Sequence, residues 1–383
     1  MIVARDFLAD HRETLPAVLG TAMGRAAARD VRSVGAIAFR RSDDGAAYRI
    51  VPGGDTLRIE TGDDAPVLVE LDQQAWSDFA CEMATAAGLF YAGRMTIVRG
   101  SHADVERWEP ALRSLFSGRP IFDPTAVRLR DAAGAPLDPR RSFTPGDPDA
   151  VLRHFLHETG YLHVRGVFAP DEIERIREAV ARRQDAARPG DGRSWWAKRA
   201  DGTSVLCRLI YLGQVEPDVV ALGDDARLRR FMGLVDEPLR PAFDRSDGPS
   251  VVIKNASVIE GLSDLPWHRD CGLGGHPVTC PALNIGIQLD SASAETGRLQ
   301  FVPGSWRTSC HRSDLERAET IAIDTEPGDV TVHLGDVMHA APPPTGAGPG
   351  RRTLYLGCMP ESAYDAIPPG KSYNDVILAR VGQ

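Results

Sequence analysis

"ALNIGIQLD" (282–290) is a short apolar-rich run closed by an aspartate, and four more runs of its kind surround it in the second half of the chain. They are "SVVIKNASVIEG" (250–261), "GRLQFVPGS" (297–305), "GDVTVHLG" (328–335) and "RRTLYLGC" (351–358). Gly, Pro and Asp punctuate them, and little helical periodicity lies between. Several short strands with such turns specify a β-sandwich or jelly roll. Ahead of them come helix "DAVLRHFLHETG" (149–160), strand "YLHVRGV" (161–167) and helix "APDEIERIREAVARRQ" (169–184). In the last, Pro170 suits the first turn, Asp171 and Glu172 suit the positive end of the helix dipole, and Ile173, Ile176 and Val180 form the buried stripe.

The first 120 residues differ in pattern. "GAIAFRR", "AAYRIV", "TLRIE" and "VLVEL" alternate between Gly/Asp/Pro turns, the mark of antiparallel strands. Asp72 then caps a helix with Trp76, Phe79 and Met83 on one face and Gly88 as its stop. A later helix, "ADVERWEPALRSLF" (103–116), presents Trp108, Leu112 and Leu115. These large residues read as core, or equally as the lining of an apolar cavity. "VELDQQAWSDFACEMATAAGLFYAGRMTIVRG" (69–100) resembles the sterol carrier protein type-2 fold, in which strand, helix and a "GR" strand frame a lipid tunnel. Residues 120–150 carry six prolines and little periodicity, a linker by composition. The reading is therefore α+β: a sterol-carrier-like domain over 1–120, a linker over 121–148, and a jelly-roll domain with flanking helices over 149–383.

With 44 Lys+Arg against 53 Asp+Glu, the net charge of −9 argues against nucleic acid as a partner. Cys81, Cys207, Cys271, Cys280, Cys310 and Cys358 include no CxxC pair and read as reduced thiols. "MIVARDFLADHRE" has no apolar signal core, and no run of 18 apolar residues suggests a membrane span. The expectation is a soluble, cytoplasmic protein acting on a small molecule.

Chemistry gathers in "LPWHRDCGLGGHP" (265–277). His268 and Asp270, two apart on a strand, present an imidazole and a carboxylate to one point. A non-haem Fe(II) site needs a second histidine, and His339 is the best placed, 339 − 270 = 69 residues on. Twelve residues beyond it, Arg351 and Thr353 alternate onto one face, suiting a guanidinium fork and a hydroxyl around one carboxylate. Strand parity favours Arg351 over its neighbour Arg352. H-x-D alone is a weak signal, as compatible with a turn-capping pair. Metal triad plus distant arginine is more specific.

"PWHRD", "ALNIGIQLDSASAETGRLQFVPGSW", "GDVTVHLGDVMH" and "GRRTLYL" together resemble the phytanoyl-CoA dioxygenase family of Fe(II)/2-oxoglutarate oxygenases, over roughly residues 150 to 360. The resemblance implies Fe(II), 2-oxoglutarate and O2, with His268, Asp270 and His339 as iron ligands and Arg351 on the distal carboxylate of 2-oxoglutarate. It implies hydroxylation of an unactivated C–H, with desaturation or epoxidation open to the same triad. Three positions depart from the family: Ala341 replaces a serine, for which Thr353 is the candidate substitute; Trp306 replaces a histidine and would reshape a lid; and "APPPTGAGPG" (341–350) replaces a polar loop.

Other residues carry two readings. Lys254 reaches the cosubstrate or is a strand-edge lysine. His333 shares the parity of His339 and reads as a neighbour of the site. His276 and Cys271 lie in a loop bordering the pocket, and His154, His157 and His163 read as capping or solvated. Trp195 and Trp196 wall a substrate pocket or form a half-buried cluster. A lipid carrier with a silent β-domain, or a cupin-like enzyme without 2-oxoglutarate, are the rival functions. Arg351 speaks against the second.

Overall fold

The computed structural model describes residues 4–245, 247–260, 265–270, 282–346 and 350–364. Two compact units are present: residues 4–126 with 307–317 form the first, and 127–270, 282–306 and 318–364 the second. In the first, strands β1 (Ile37–Arg41), β2 (Ala47–Gly53), β3 (Thr56–Thr61), β4 (Val67–Leu71) and β5 (Met95–Arg99) lie in the order β3-β2-β1-β4-β5. One pairing corrects the all-antiparallel expectation. The β2–β3 hairpin returns the chain across β1, so β4 joins β1 in parallel, Ile37 opposite Val67.

Trp76 and Trp108 are fully buried in the core of this unit. The Trp76 indole donates to Asp10 (2.8 Å) and meets Phe7 and Phe39 edge-on. Asp72 caps its helix as expected, but the helix ends at Ala80, short of Met83. The chain leaves it through Glu82, a left-handed residue (φ 55°) whose buried carboxylate pairs with Arg113 and, at 3.2 Å, with Arg119. A buried carboxylate must find cations, and here that requirement overrides helix propagation. Gly88 lies inside a separate helix, Ala86–Tyr91.

The second unit begins with 127–148, which holds no helix or strand of its own. Phe143 within it is buried, and it exchanges backbone hydrogen bonds with the chain at His163 and Arg165. Helices Asp149–Thr159 and Pro170–Ala186 follow, the latter burying Ile173, Ile176 and Val180 as its periodicity predicts. The larger sheet contains β6 (Tyr161–Val164), β7 (Ser194–Arg199), β8 (Ser204–Leu209), β9 (Leu239–Pro241), β10 (Ser250–Ile253), β11 (Val258–Glu260), β13 (Leu283–Gln288), β16 (Val330–Leu334) and β18 (Arg352–Pro360). Its order is β11-β7-β8-β10-β18-β13-β16-β6, with β9 also on β18. The smaller sheet runs β12 (Leu265–His268), β17 (His339–Ala341), β14 (Gln300–Phe301), β15 (Ile321–Ala322). Both sheets pair antiparallel throughout, as a jelly roll requires.

Strand alternation gives the larger sheet two unlike faces. Leu283, Ile285 and Ile287, Val330, Val332 and Leu334, and Leu354, Leu356 and Cys358 join one apolar core with the helices. Asn284 and Gln288, Thr331 and His333, and Thr353 and Tyr355 take the opposite face. Cys81, Cys207, Cys310 and Cys358 form no disulfide, and no described helix is long and apolar enough to cross a membrane.

The edge strand β6 is tied on through Asp329. Its carboxylate accepts from His163 Nε2 (2.9 Å) and from the backbone N–H of Gly166 (2.9 Å) and Glu326 (3.0 Å). Desolvation alone would raise its pKa, but these donors outweigh it and hold the carboxyl below the usual range. A depressed carboxylate contributes stability above its unfolded pKa and loses it as pH falls through the folded value. Asp329→Asn is therefore expected to cost about 2 kcal/mol at pH 7. In thermal melts against pH, the gap from the unmutated protein should close below about pH 4.

Candidate metal and cosubstrate site

His268 ends β12 and His339 begins β17, directly opposite each other, with ring centroids 4.3 Å apart. Each ring is oriented from behind. His268 Nδ1 lies 2.6 Å from the Pro266 carbonyl and His339 Nδ1 3.0 Å from that of Val337. An Nδ1–H donating to a carbonyl fixes the tautomer and leaves the Nε2 lone pair for a metal. Both Nε2 atoms face Asp270, His268 at 3.5 Å from Oδ1 and His339 at 3.5 Å from Oδ2. One ligand atom from each of the three residues falls within 4.8 Å of the others. Three facial ligands of an octahedral ion sit about 3 Å apart, so this donor set needs only a small contraction to close on iron.

Asp270 is held from the larger sheet. Its Oδ2 accepts from His333 Nε2 (2.9 Å) and Asn284 Nδ2 (2.5 Å), two residues in register across β13 and β16. These two donors fix the carboxylate beside the two histidine Nε2 atoms. His333 thus positions the carboxylate, and Asn284 is a residue that sequence reading missed. Its signal was available in the polar face of "ALNIGIQLD", but not without the pairing to His333.

Protonation follows from this crowding. Desolvation drives His339 down to about 3, so it is neutral. Desolvation alone would raise the Asp270 carboxyl, but the imidazoles of His339, His268 and His333 hold it well below the usual range. His268 is opposed by desolvation, yet the hydrogen bond and charge of Asp270 prevail and raise its pKa. An ionised carboxylate and a neutral imidazole stand ready for a cation. His268 binds a cation only as the neutral imidazole.

Arg351 and Thr353 are both buried on the polar face. Arg351 donates from Nε to the Gly297 carbonyl (3.0 Å) and from Nη1 to Thr353 Oγ1 (2.6 Å). Nη2 is buried and has no hydrogen-bond partner. Arg352, on the other face, is committed to Asp290 through two nitrogens (2.8 and 3.1 Å). Lys254 is fully buried beside Arg351, its backbone N–H on the Arg351 carbonyl (2.8 Å) and its ammonium donating to the Ala341 carbonyl. Their backbones approach so closely that a Cβ on Gly350 would lie 1.3 Å from the Lys254 oxygen, so only glycine fits there.

Trp195 lies opposite Arg208 in register, and Arg208 opposite Val252, itself opposite Thr353. Both therefore share the polar face. Trp195 Nε1 and Arg208 Nε are buried without partners. Trp196 turns to the core side and caps Ser194 (2.9 Å). Trp306 is pinned to the helix end, its indole on the His157 carbonyl (3.1 Å). His154 bonds the Arg130 carbonyl (2.7 Å) and His163 bonds Asp329. His276 and Cys271 lie outside the described residues.

A jelly roll with two histidines and a carboxylate on one metal position, and a buried arginine on the polar face of the larger sheet, defines the 2-His-1-carboxylate class of non-haem iron oxygenases. The phytanoyl-CoA dioxygenase (PhyH) family model matches residues 156–353, and the chain belongs to that family. It is thus a non-haem, iron- and 2-oxoglutarate-dependent oxygenase. Among solved structures it is similar to AviO1 from Streptomyces viridochromogenes Tue57, with 24% identity over 58% of this chain and 97% of that one and a TM-score of 0.47. It is also similar to the non-haem alpha-ketoglutarate-dependent carbocyclase SnoK from nogalamycin biosynthesis (19%, 63% and 93%, TM-score 0.48). A third similar structure is EctD from S. alaskensis with bound Fe (21%, 64% and 84%, TM-score 0.47). No curated protein matches the chain.

His333→Phe removes one of the two donors to Asp270 and should weaken Fe(II) binding by ~10- to 100-fold, whereas His268→Ala should abolish it. Fe(II) affinity should also fall as pH drops through the raised pKa of His268. Equilibrium titration with a competing chelator, repeated across pH, measures both.

Proposed function

We propose that this chain hydroxylates an unactivated C–H bond of a small, apolar or acyl-linked molecule, with 2-oxoglutarate converted to succinate and CO2. The observation that carries the reading is the convergence of His268 Nε2, His339 Nε2 and Asp270 on one point, with the unpartnered Nη2 of Arg351 on the larger-sheet face whose His333 and Asn284 hold Asp270. Iron, with 2-oxoglutarate and O2, supplies the oxidising power.

The chain's own residues then do four things. His268, Asp270 and His339 hold the metal. His333 and Asn284 keep Asp270 ionised and aimed. Arg351, braced by Gly297 and Thr353, offers its open nitrogen to the distal carboxylate of the cosubstrate, and Lys254 fixes the backbone beside it. The apolar face of the larger sheet, packed against the helices, holds these groups in register. Asp270 occupies the position that a halide would need, which supports hydroxylation over halogenation. The unpartnered N–H groups of Trp195 and Arg208 support a substrate with a carbonyl or similar acceptor, because a buried donor left open costs about 1–3 kcal/mol until a ligand or water fills it.

Anaerobic addition of Fe(II) and 2-oxoglutarate should produce a weak visible charge-transfer absorption, lost in Asp270→Ala. Absence of that band in the unmutated protein would overturn the reading. Arg351→Gln should raise the KM for 2-oxoglutarate by ~10-fold or more while Fe(II) affinity holds.

A further inference from the structure

Thr353 is the candidate substitute for the serine hydroxyl missing at Ala341, but its bonding leaves it no donor to give. Its oxygen accepts from Arg351 Nη1 (2.6 Å), and its single proton goes to Gln288 Oε1 (3.0 Å). Gln288 is itself engaged with Thr331 (3.1 Å). Thr353 therefore braces the guanidinium and cannot donate to a second carboxylate.

The next residue on that face of β18 is Tyr355. Its ring lies across Gly286. A Cβ there would sit 2.8 Å from Tyr355 Cε1 and 2.8 Å from Thr331 Oγ1, so the glycine makes room for the ring. The ring meets His333, the residue positioning Asp270, edge-on at 6.4 Å. Tyr355 thus stands between the metal end and the arginine end of one sheet face. It shares that face with Thr353, the residue that accepts from Arg351. Burial raises its pKa, with Arg351 opposing and Asp270 reinforcing, so the phenol keeps its proton and is a donor at neutral pH.

We propose that Tyr355 is a positioning residue for the cosubstrate: its hydroxyl donates to the same distal carboxylate that Arg351 Nη2 receives. This rests on the reading of Arg351 as the anchor for 2-oxoglutarate. Phenol and guanidinium together complete a two-point clamp on one carboxylate, with Gly286 as the space that admits the ring.

The test compares 2-oxoglutarate with 2-oxovalerate, which carries a methyl group in place of the distal carboxylate. Dissociation constants are read in the anaerobic Fe(II) protein from the charge-transfer band, with 2-oxovalerate also measured by competition. Tyr355→Phe should weaken 2-oxoglutarate ~10-fold or more, the worth of one hydrogen bond to a charged group, and leave 2-oxovalerate and Fe(II) affinities unchanged. Gly286→Ala, which displaces the ring without altering its chemistry, should give the same selective loss. Unchanged 2-oxoglutarate affinity in Tyr355→Phe, or equal weakening of both ligands, would overturn the proposal while leaving the oxygenase reading intact. No band in the unmutated protein would instead remove that reading and the proposal with it.

Discussion

The Asp270 carboxylate joins the two sheets of the jelly roll. It follows β12 of the smaller sheet and is received by His333 and Asn284, neighbours on β13 and β16 of the larger one. A carboxylate among three imidazoles stays ionised only while donors satisfy it, and this one takes two on a single oxygen. These donors hold the carboxylate at the metal position. It also sets where His268 and His339 must point, since both Nε2 atoms address the same carboxylate.

Behind this polar arrangement stands the apolar face of the same strands. Ile285, Val332 and Leu356 are buried among the helices, and alternation forces their neighbours Asn284, His333 and Tyr355 to the other side. Rigid packing on one face holds the polar groups in register on the other. That face carries four buried polar atoms with open hydrogen-bonding capacity, Arg351 Nη2, His333 Nδ1, Trp195 Nε1 and Arg208 Nε.

Much of this was legible in the sequence because strand parity is a short-range rule. H-x-D, the distal histidine and Arg351 could be placed on common faces without knowing which strands pair. The same rule separates Arg351 from Arg352, whose guanidinium instead meets Asp290. Parity could not supply register. Asn284 beside His333, Tyr355 over Gly286, and Trp195 opposite Arg208 each depend on which residue of one strand faces which residue of another. Nor could it tell where a hydroxyl proton goes, which is why Thr353 looked like a cosubstrate donor and instead bonds Gln288. In the first unit, helical period suggested one helix through Met83, but the demand of the buried Glu82 carboxylate for Arg113 and Arg119 ended it early.

The central claim is that two histidines and one carboxylate bind the iron while the third nearby histidine, His333, with its ring 4.5 Å from that of His339, stays on Asp270. X-ray absorption at the iron edge of the anaerobic Fe(II) protein counts coordinated imidazoles directly. The account predicts two, unchanged in His333→Phe, and no bound iron in His339→Ala. Three coordinated imidazoles, with one lost in His333→Phe, would contradict it.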